Sequence, residues 1–306
     1  MSKSLRQQFA DTLTSIGKED SQLVVMVGDI SHGILKPFAE ACPDRFYNIG
    51  ILEPTMVSMG AGLAAAGLCP VIHTIAPFLI ERSFEQIKLD FCYHKLPGNI
   101  VTVGSAFDYS NLGCTHHCYG DFALLKTLQR IQICFPASAI EFDQLFRQAY
   151  RNDLLTVYRM AGHPHPIQFK AEDIVFGKAI KIHDGSDVTL IATGPQLKTA
   201  LDAREKLSAR GILAEVIYVH TIRPLDTEMI QASVEKTRKV VVIEEHMMSG
   251  GLGDDVLRAT YQIPGMKFHS VSIPDEFVTG YGTYEELCES CGLTAEAVIT
   301  AIGAWE

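Results

Sequence analysis

Short, near-continuous apolar runs alternate with amphipathic stretches along this chain, and that alternation constrains its fold more than any other feature. Gln22–Gly28 (QLVVMVG), CPVIHTI and NIVTVG each read as a strand covered on both faces, as in a parallel sheet. RFYNI, Arg45–Ile49, reads the same way. Between the runs the period changes. Leu5, Phe9, Leu13 and Ile16 recur at spacings of three and four, which predicts a helix with one buried face over Leu5–Ile16. Pro54–Gly67 is rich in Met, Ala and Gly and predicts a helix packed closely on its neighbours. Helices are also expected over Phe78–Cys92 and Ser138–Tyr150, with a strand at TVYR.

The pattern breaks at AGHPHPIQFKAEDIVFG, where prolines and glycines recur without a period, and this marks a domain crossing. A second block then alternates in the same manner. DVTLIATG, LAEVIYV, KVVVIEEH and KFHSVSI are strands; Gln196–Ala209, Asp226–Thr237 and Gly251–Tyr261 are helices. The expected class is α/β: two consecutive α/β domains with mostly parallel sheets. The expected boundaries are 1–165 for the first domain, 166–180 for a linker and 181–306 for the second. The length of 306 residues agrees, since a domain takes ~150 residues.

Composition narrows the function classes. Hydrophobic residues make up 47% and charged residues 20%, enough to build packed cores. The formal net charge of −10 argues against nucleic acid or an anionic membrane as the main partner, because both need a basic face. No apolar run reaches the ~18 residues of a membrane span, and the N-terminal MSKSLRQQF has no apolar signal core. Eight cysteines are too sparse for a disulfide scaffold and read as reduced thiols of a cytoplasmic protein.

Several motifs could carry chemistry. Glu53 is a lone carboxylate between a strand and the small-residue helix, with Pro54 at the first helical position. An acid there can simply favour the helix dipole. It can also be a carboxylate held in an apolar site and suited to proton exchange. In GCTHHCYGD, adjacent His116 and His117 between Cys114 and Cys118 fail the usual zinc spacings, so no metal is expected. CESC, Cys288–Cys291, is a lone pair of thiols on a helix. GDISHG lacks the glycine and lysine spacing of a phosphate loop. SGGLGDDV leads into a helix whose N-terminus could bind an anion; a tight turn explains it equally well.

Five blocks in order resemble thiamine-diphosphate enzymes of the transketolase type: RFYNIGILEPTMVSMGAGLAAAG, PVIHTIAPFLIERSFEQIKLD, CTHHCYGDFALLK, the TGPQLKTALDAREKLSARGILAEVIYVHTIRPLD stretch, and VVVIEEHMMSGGLGDDV. The resemblance covers the pyrimidine-binding and C-terminal domains and omits the family's pyrophosphate domain, whose GDG motif is missing. It therefore implies the C-terminal subunit of a split transketolase. Thiamine diphosphate would be shared with a separate N-terminal subunit that holds Mg²⁺ and the pyrophosphate, and two copies of each chain are expected.

The resemblance also implies residue roles. Glu53 stands where the family carboxylate bonds N1′ of the aminopyrimidine. Phe78 stands for the aromatic packed on that ring, with Arg82 and Ile51 beside the cofactor. His116 matches the substrate-contacting His of a THQ-like motif, and His117 follows it. Arg6 aligns with a substrate-phosphate Arg, and His163 lies next to Gly162, where another such Arg stands in the family. Gly104 and Leu112 replace a family His and Asp. With so much of the phosphate clamp altered, a ketose other than the usual pentose phosphates, or a less phosphorylated one, is expected. The expected reaction is two-carbon ketol transfer from a ketose to an aldose. The beta subunit of a 2-oxo-acid dehydrogenase, a deoxyxylulose-phosphate-synthase-like carboligase, and a non-catalytic regulatory paralogue are the alternatives.

Overall fold

The computed structural model describes residues 3–305. The chain divides into two compact units, one made of residues up to 105, 124–162 and 169–176, the other of 106–123, 163–168 and the chain from 177 onward. The stretch 106–123, which the sequence groups with the first domain, thus clusters with the second unit.

The first unit is built on strands β1 (Leu23–Val27), β2 (Phe46–Asn48), β3 (Cys69–Ile75), β4 (Gly98–Val103), β5 (Ile131–Cys134) and β6 (Leu155–Arg159). They lie in the order β5-β6-β4-β3-β1-β2, and every pairing is parallel. β1, β4 and β6 are buried along their whole length, as their continuous apolar runs require. The chain leaves β1 for β2 on one side and returns as β3 on the other. The carboxyl ends of β1 and β3 therefore flank a switch point, the place where open α/β sheets form a crevice.

The helices follow their sequence signals. Ser4 caps Leu5–Glu19 by accepting from the Gln7 amide, and Ser138 caps Ala139–Ala149 through the Glu141 amide. Helix Glu53–Ala65 buries Met56, Val57, Gly60, Ala61 and Ala64. A Cβ on Gly60 would sit 2.5 Å from Ile72 Cδ1 and 3.1 Å from Met26 Cε, so this glycine sets the close approach of helix to sheet.

Two expectations are corrected. RFYNI is not a strand covered on both faces. β2 is the edge of the sheet, with Tyr47 45% exposed. Phe78–Cys92 is not one regular helix. It is wound with the wider π spacing at Pro77–Glu81 and Ile87–Tyr93 around a short α turn, Phe84–Gln86, and the Arg82 amide reaches back five residues to the Pro77 carbonyl at 3.1 Å. Such wide turns recur at functional sites.

The second unit holds β7 (Ile180–His183), β8 (Val188–Ala192), β9 (Ala214–Tyr218), β10 (Thr221–Arg223), β11 (Lys239–Met247) and β12 (Lys267–Ile273). Its sheet runs β12-β11-β8-β9-β7, parallel except for β7, which pairs antiparallel with β9. Helices Leu197–Ser208, Thr227–Thr237, Leu252–Thr260, Tyr284–Ser290 and Ala295–Gly303 complete it. None of the eight cysteines is in a disulfide, and burial pushes the Cys288 and Cys291 thiols of CESC upward. Among the described residues no helix is long and apolar enough to cross a membrane.

Candidate active site

The carboxyl ends of β1, β2 and β3 gather the polar residues of the first unit. β2 ends at Asn48, and a turn through Gly50 (φ +78°) delivers Glu53 to the first position of its helix. Proline at the next position needs no hydrogen-bond partner there. The Glu53 side chain is 2% exposed. Its Oε2 accepts from Arg82 Nη1 at 2.9 Å, and no second donor to the carboxylate is found among the described residues. Arg82 comes from the π-wound segment after β3, where the wide turn also lays its guanidinium over the Phe78 ring, 4.4 Å from the centroid. Phe78 is half-buried, and Ile51, just ahead of Glu53, is 69% exposed. One acid, one cation, one aromatic face and an exposed aliphatic side chain are thus supplied by the segments after β2 and β3, the two strands that flank β1.

In the loop after β1, Ser31 Oγ accepts from Arg6 Nη2 at 2.8 Å and also lies 2.8 Å from His73 Nε2. His73 is fully buried in the middle of β3, with Nδ1 2.8 Å from the Val101 carbonyl. Burial, helped by the Arg6 charge, pulls its imidazole down to about 4. Asp29 and Asn48 bond each other through the Asp29 amide and the Asn48 side-chain amide. The sequence offered one signal for His73, a histidine inside an apolar strand; Ser31 sits in the GDISHG loop, whose spacing is wrong for a phosphate site.

The second unit carries the histidine pair. The His116 and His117 amides both donate to the Gly113 carbonyl, at 2.9 and 3.2 Å. His116 is half-buried, 3.0 Å from the Thr115 hydroxyl, while His117 is buried against Phe107, with ring centroids 5.3 Å apart. Burial, with the adjacent His116 acting in the same direction, lowers the His117 imidazole. The segment is tied to the end of β11: the Met247 amide donates to the Tyr119 carbonyl at 2.8 Å, and His246 stacks on Phe122. His163 stacks on Tyr284 at 3.9 Å, and the Tyr284 hydroxyl donates to buried Glu245 at 2.5 Å. Glu53, Phe78, Arg82, Ile51 and Arg6 therefore fall in the first unit, and His116, His117 and His163 in the second.

The glycine-rich turn of SGGLGDDV has its anion already. Glu244, at 0% exposure, accepts the Leu252 and Gly253 amides at 2.6 and 2.7 Å, at the start of helix Leu252–Thr260. Gly251 has room for no side chain, since a Cβ would lie 2.4 Å from Glu244 Oε2.

The transketolase pyrimidine-binding domain family matches residues 1–160 and the transketolase C-terminal domain family residues 177–298. The chain belongs to the transketolase family. It is 32% identical to one of the subunits of apulose-4-phosphate transketolase from Phocaeicola vulgatus, over 96% of this chain and 94% of that one. It is 30% identical to the SqwH subunit of 6-deoxy-6-sulfo-D-fructose transketolase from a Clostridium species, over 97% and 92%. A 1-deoxy-D-xylulose-5-phosphate synthase of Heliobacterium modesticaldum is 32% identical, but the chain spans only 45% of that protein. Among solved structures, a split-gene transketolase described as an inactive β4 tetramer superposes with a TM-score of 0.89 at 30% identity, over 98% of this chain and 97% of that one. The chain is thus a C-terminal subunit of the split type of thiamine-diphosphate-dependent transketolase, a transferase of two-carbon ketol units.

Proposed function

We propose that this chain supplies the pyrimidine side of a transketolase active site completed by a separate subunit. Glu53 is the carboxylate that shares a proton with N1′ of the aminopyrimidine. The observation that carries this is the Glu53 carboxylate itself: almost fully buried at a helix start, with one oxygen held by Arg82 and no second donor among the described residues. That arrangement leaves the other carboxylate oxygen available to exchange a proton with a ring nitrogen. The residues fit the cofactor's pyrimidine, since the Phe78 ring packs on Arg82, the partner of the acid, and the exposed aliphatic Ile51 lies two residues before the acid. When bound, thiamine diphosphate supplies the carbon acid whose conjugate base attacks a ketose carbonyl.

The chain's own residues would then act as follows. Glu53 holds the proton on the pyrimidine side, and Arg82 fixes the carboxylate. Phe78, packed under Arg82, is the aromatic that lies against the pyrimidine ring. His116, and His117 behind it, donate to substrate oxygens, which neutral or protonated imidazole does near pH 7. Arg6 takes the anionic end of the sugar, and His163 is a further substrate contact. Mg²⁺ and the diphosphate belong to the partner, two copies of each chain make the enzyme, and the domain boundary falls within 166–180. The cytoplasm is the expected compartment.

The substrate class follows from the altered clamp together with the relatives. Two of them are named for ketoses bearing a phosphate or a sulfonate. A ketose with one anionic terminus, other than the common pentose phosphates, suits a site with Arg6 and without the missing groups. The test is reconstitution with the pyrophosphate-domain subunit. The mixture should transfer ketol units while this chain alone is inactive. Transfer by this chain alone, or efficient use of xylulose 5-phosphate with ribose 5-phosphate, would count against the respective parts of the reading.

A further inference from the structure

The buried histidine of β3 has no role in the arrangement so far, yet it fixes the chemistry of two of its neighbours. A backbone carbonyl only accepts, so the 2.8 Å contact between His73 Nδ1 and the Val101 oxygen requires the proton on Nδ1. In the neutral ring Nε2 is then an acceptor, and its 2.8 Å partner, the Ser31 hydroxyl, must be the donor. The hydroxyl has one proton. With that proton spent on His73, Ser31 Oγ can only accept, and it accepts from Arg6 Nη2 at 2.8 Å.

Three further observations support a chain shaped around this relay. Ser31 is held at φ +63° and Asp29 at φ +62°, a conformation that is costly for residues other than glycine. His73 is fully buried and packs on Phe9 of the helix that carries Arg6, with ring centroids 4.6 Å apart. Arg6 itself stands in the first turn of that helix, where the dipole disfavours a cation, so its placement depends on the Ser31 acceptor.

We propose that His73 is a positioning residue for substrate recognition. By holding the Ser31 proton it turns the Ser31 oxygen into an obligate acceptor, which orients the Arg6 guanidinium at the mouth between β1 and β3. The pair then selects a substrate end that offers a hydrogen-bond-donating hydroxyl next to an anion, since the free lone pair of Ser31 repels another acceptor. This rests on the reading that Arg6 meets substrate, but the relay itself does not.

The experiment has two arms on the full chain. The first is long-range ¹H–¹⁵N correlation of the histidine side chains, with His73 assigned by loss of its signals in His73→Gln. The Nδ1-protonated neutral tautomer, unchanged from pH 6 to 8, is expected. An Nε2-protonated or charged ring overturns the proposal. The second arm is kinetics of the reconstituted enzyme. His73→Leu and Ser31→Ala should each raise the ketose KM about tenfold with kcat within about twofold, as loss of one charge-assisted bond implies. The double variant should be no worse than either single one, and His73→Gln, whose amide can donate to Val101 and accept from Ser31, should recover most of the loss. Additive effects, or a fall in kcat alone, overturn the proposal. If the tautomer is as stated but Arg6→Ala leaves KM unchanged, the assignment of Arg6 to substrate fails and the relay stands.

Discussion

Replacing Glu244 by Gln tests whether the glycine-rich turn is a self-contained helix cap. In the native chain one carboxylate accepts two amides, at 2.6 and 2.7 Å, with no exposure to water. Gln keeps the shape but presents an NH₂ to one of those amides. One charge-assisted bond is lost, one buried donor is left facing another, and the favourable charge at the helix start disappears. These effects together amount to about 2–4 kcal/mol. For a unit of this size that lowers the melting temperature by roughly 4–16 °C, which calorimetry or circular dichroism measures directly. Gly251→Ala should act through the same contact, because the new Cβ would sit 2.4 Å from Glu244 Oε2 while the backbone conformation there is ordinary. A shift below ~1 °C in Glu244→Gln, or stabilisation by millimolar phosphate that persists in Arg6→Ala and is lost in Gly251→Ala, would refute the internal cap and return the turn to the status of an anion site.

Other outcomes follow from particular contacts. Gly60→Val should destabilise by about 1–3 kcal/mol through overpacking against Ile72 and Met26. Gly62→Ala, with nothing within 4 Å of the new Cβ, should be neutral or stabilising; both are read by urea denaturation. His73 sets a pH dependence: its folded value of about 4 lies below the ordinary 6.5, so the unfolded chain binds the extra proton between them. Its contribution is complete above pH ~6.5 and falls by about 3 kcal/mol as pH drops to ~4, and His73→Gln should flatten that part of the stability curve. Arg82→Ala should cost about 3 kcal/mol of stability at neutral pH, because it strips the one donor found among the described residues on a carboxylate that is 2% exposed, and Glu53→Gln in the same background should recover part of the loss, both read by urea denaturation.

Much of this architecture was legible. Uninterrupted runs such as LVVMV and KVVVIEEH announce buried parallel strands whatever surrounds them, and the helices start where Ser4, Ser138 and Asp226 provide caps. The errors came where tertiary context overrides local pattern. RFYN has the composition of a strand, but nothing in it distinguishes an edge from a centre. The strand Ile131–Cys134 is only four residues, too short for a period to show. The π winding after β3 leaves no trace in spacing, yet it sets Arg82 over Phe78 and against Glu53. The partners of functional residues were equally hidden. Glu53 stood out as a carboxylate, but its Arg82 partner is a long-range contact, as is the Arg6–Ser31–His73 relay.

The measurement closest to the central claim is exchange of the thiazolium C2 proton of thiamine diphosphate, followed by ¹H NMR in D₂O after rapid quench. With this chain and its pyrophosphate-domain partner together, exchange should be far faster than in free cofactor. The same pair carrying Glu53→Gln, and this chain alone, should show the uncatalysed rate, with the variant still folded and still bound to its partner. Native-rate exchange in the Glu53→Gln pair, or full acceleration by this chain alone, would contradict the account.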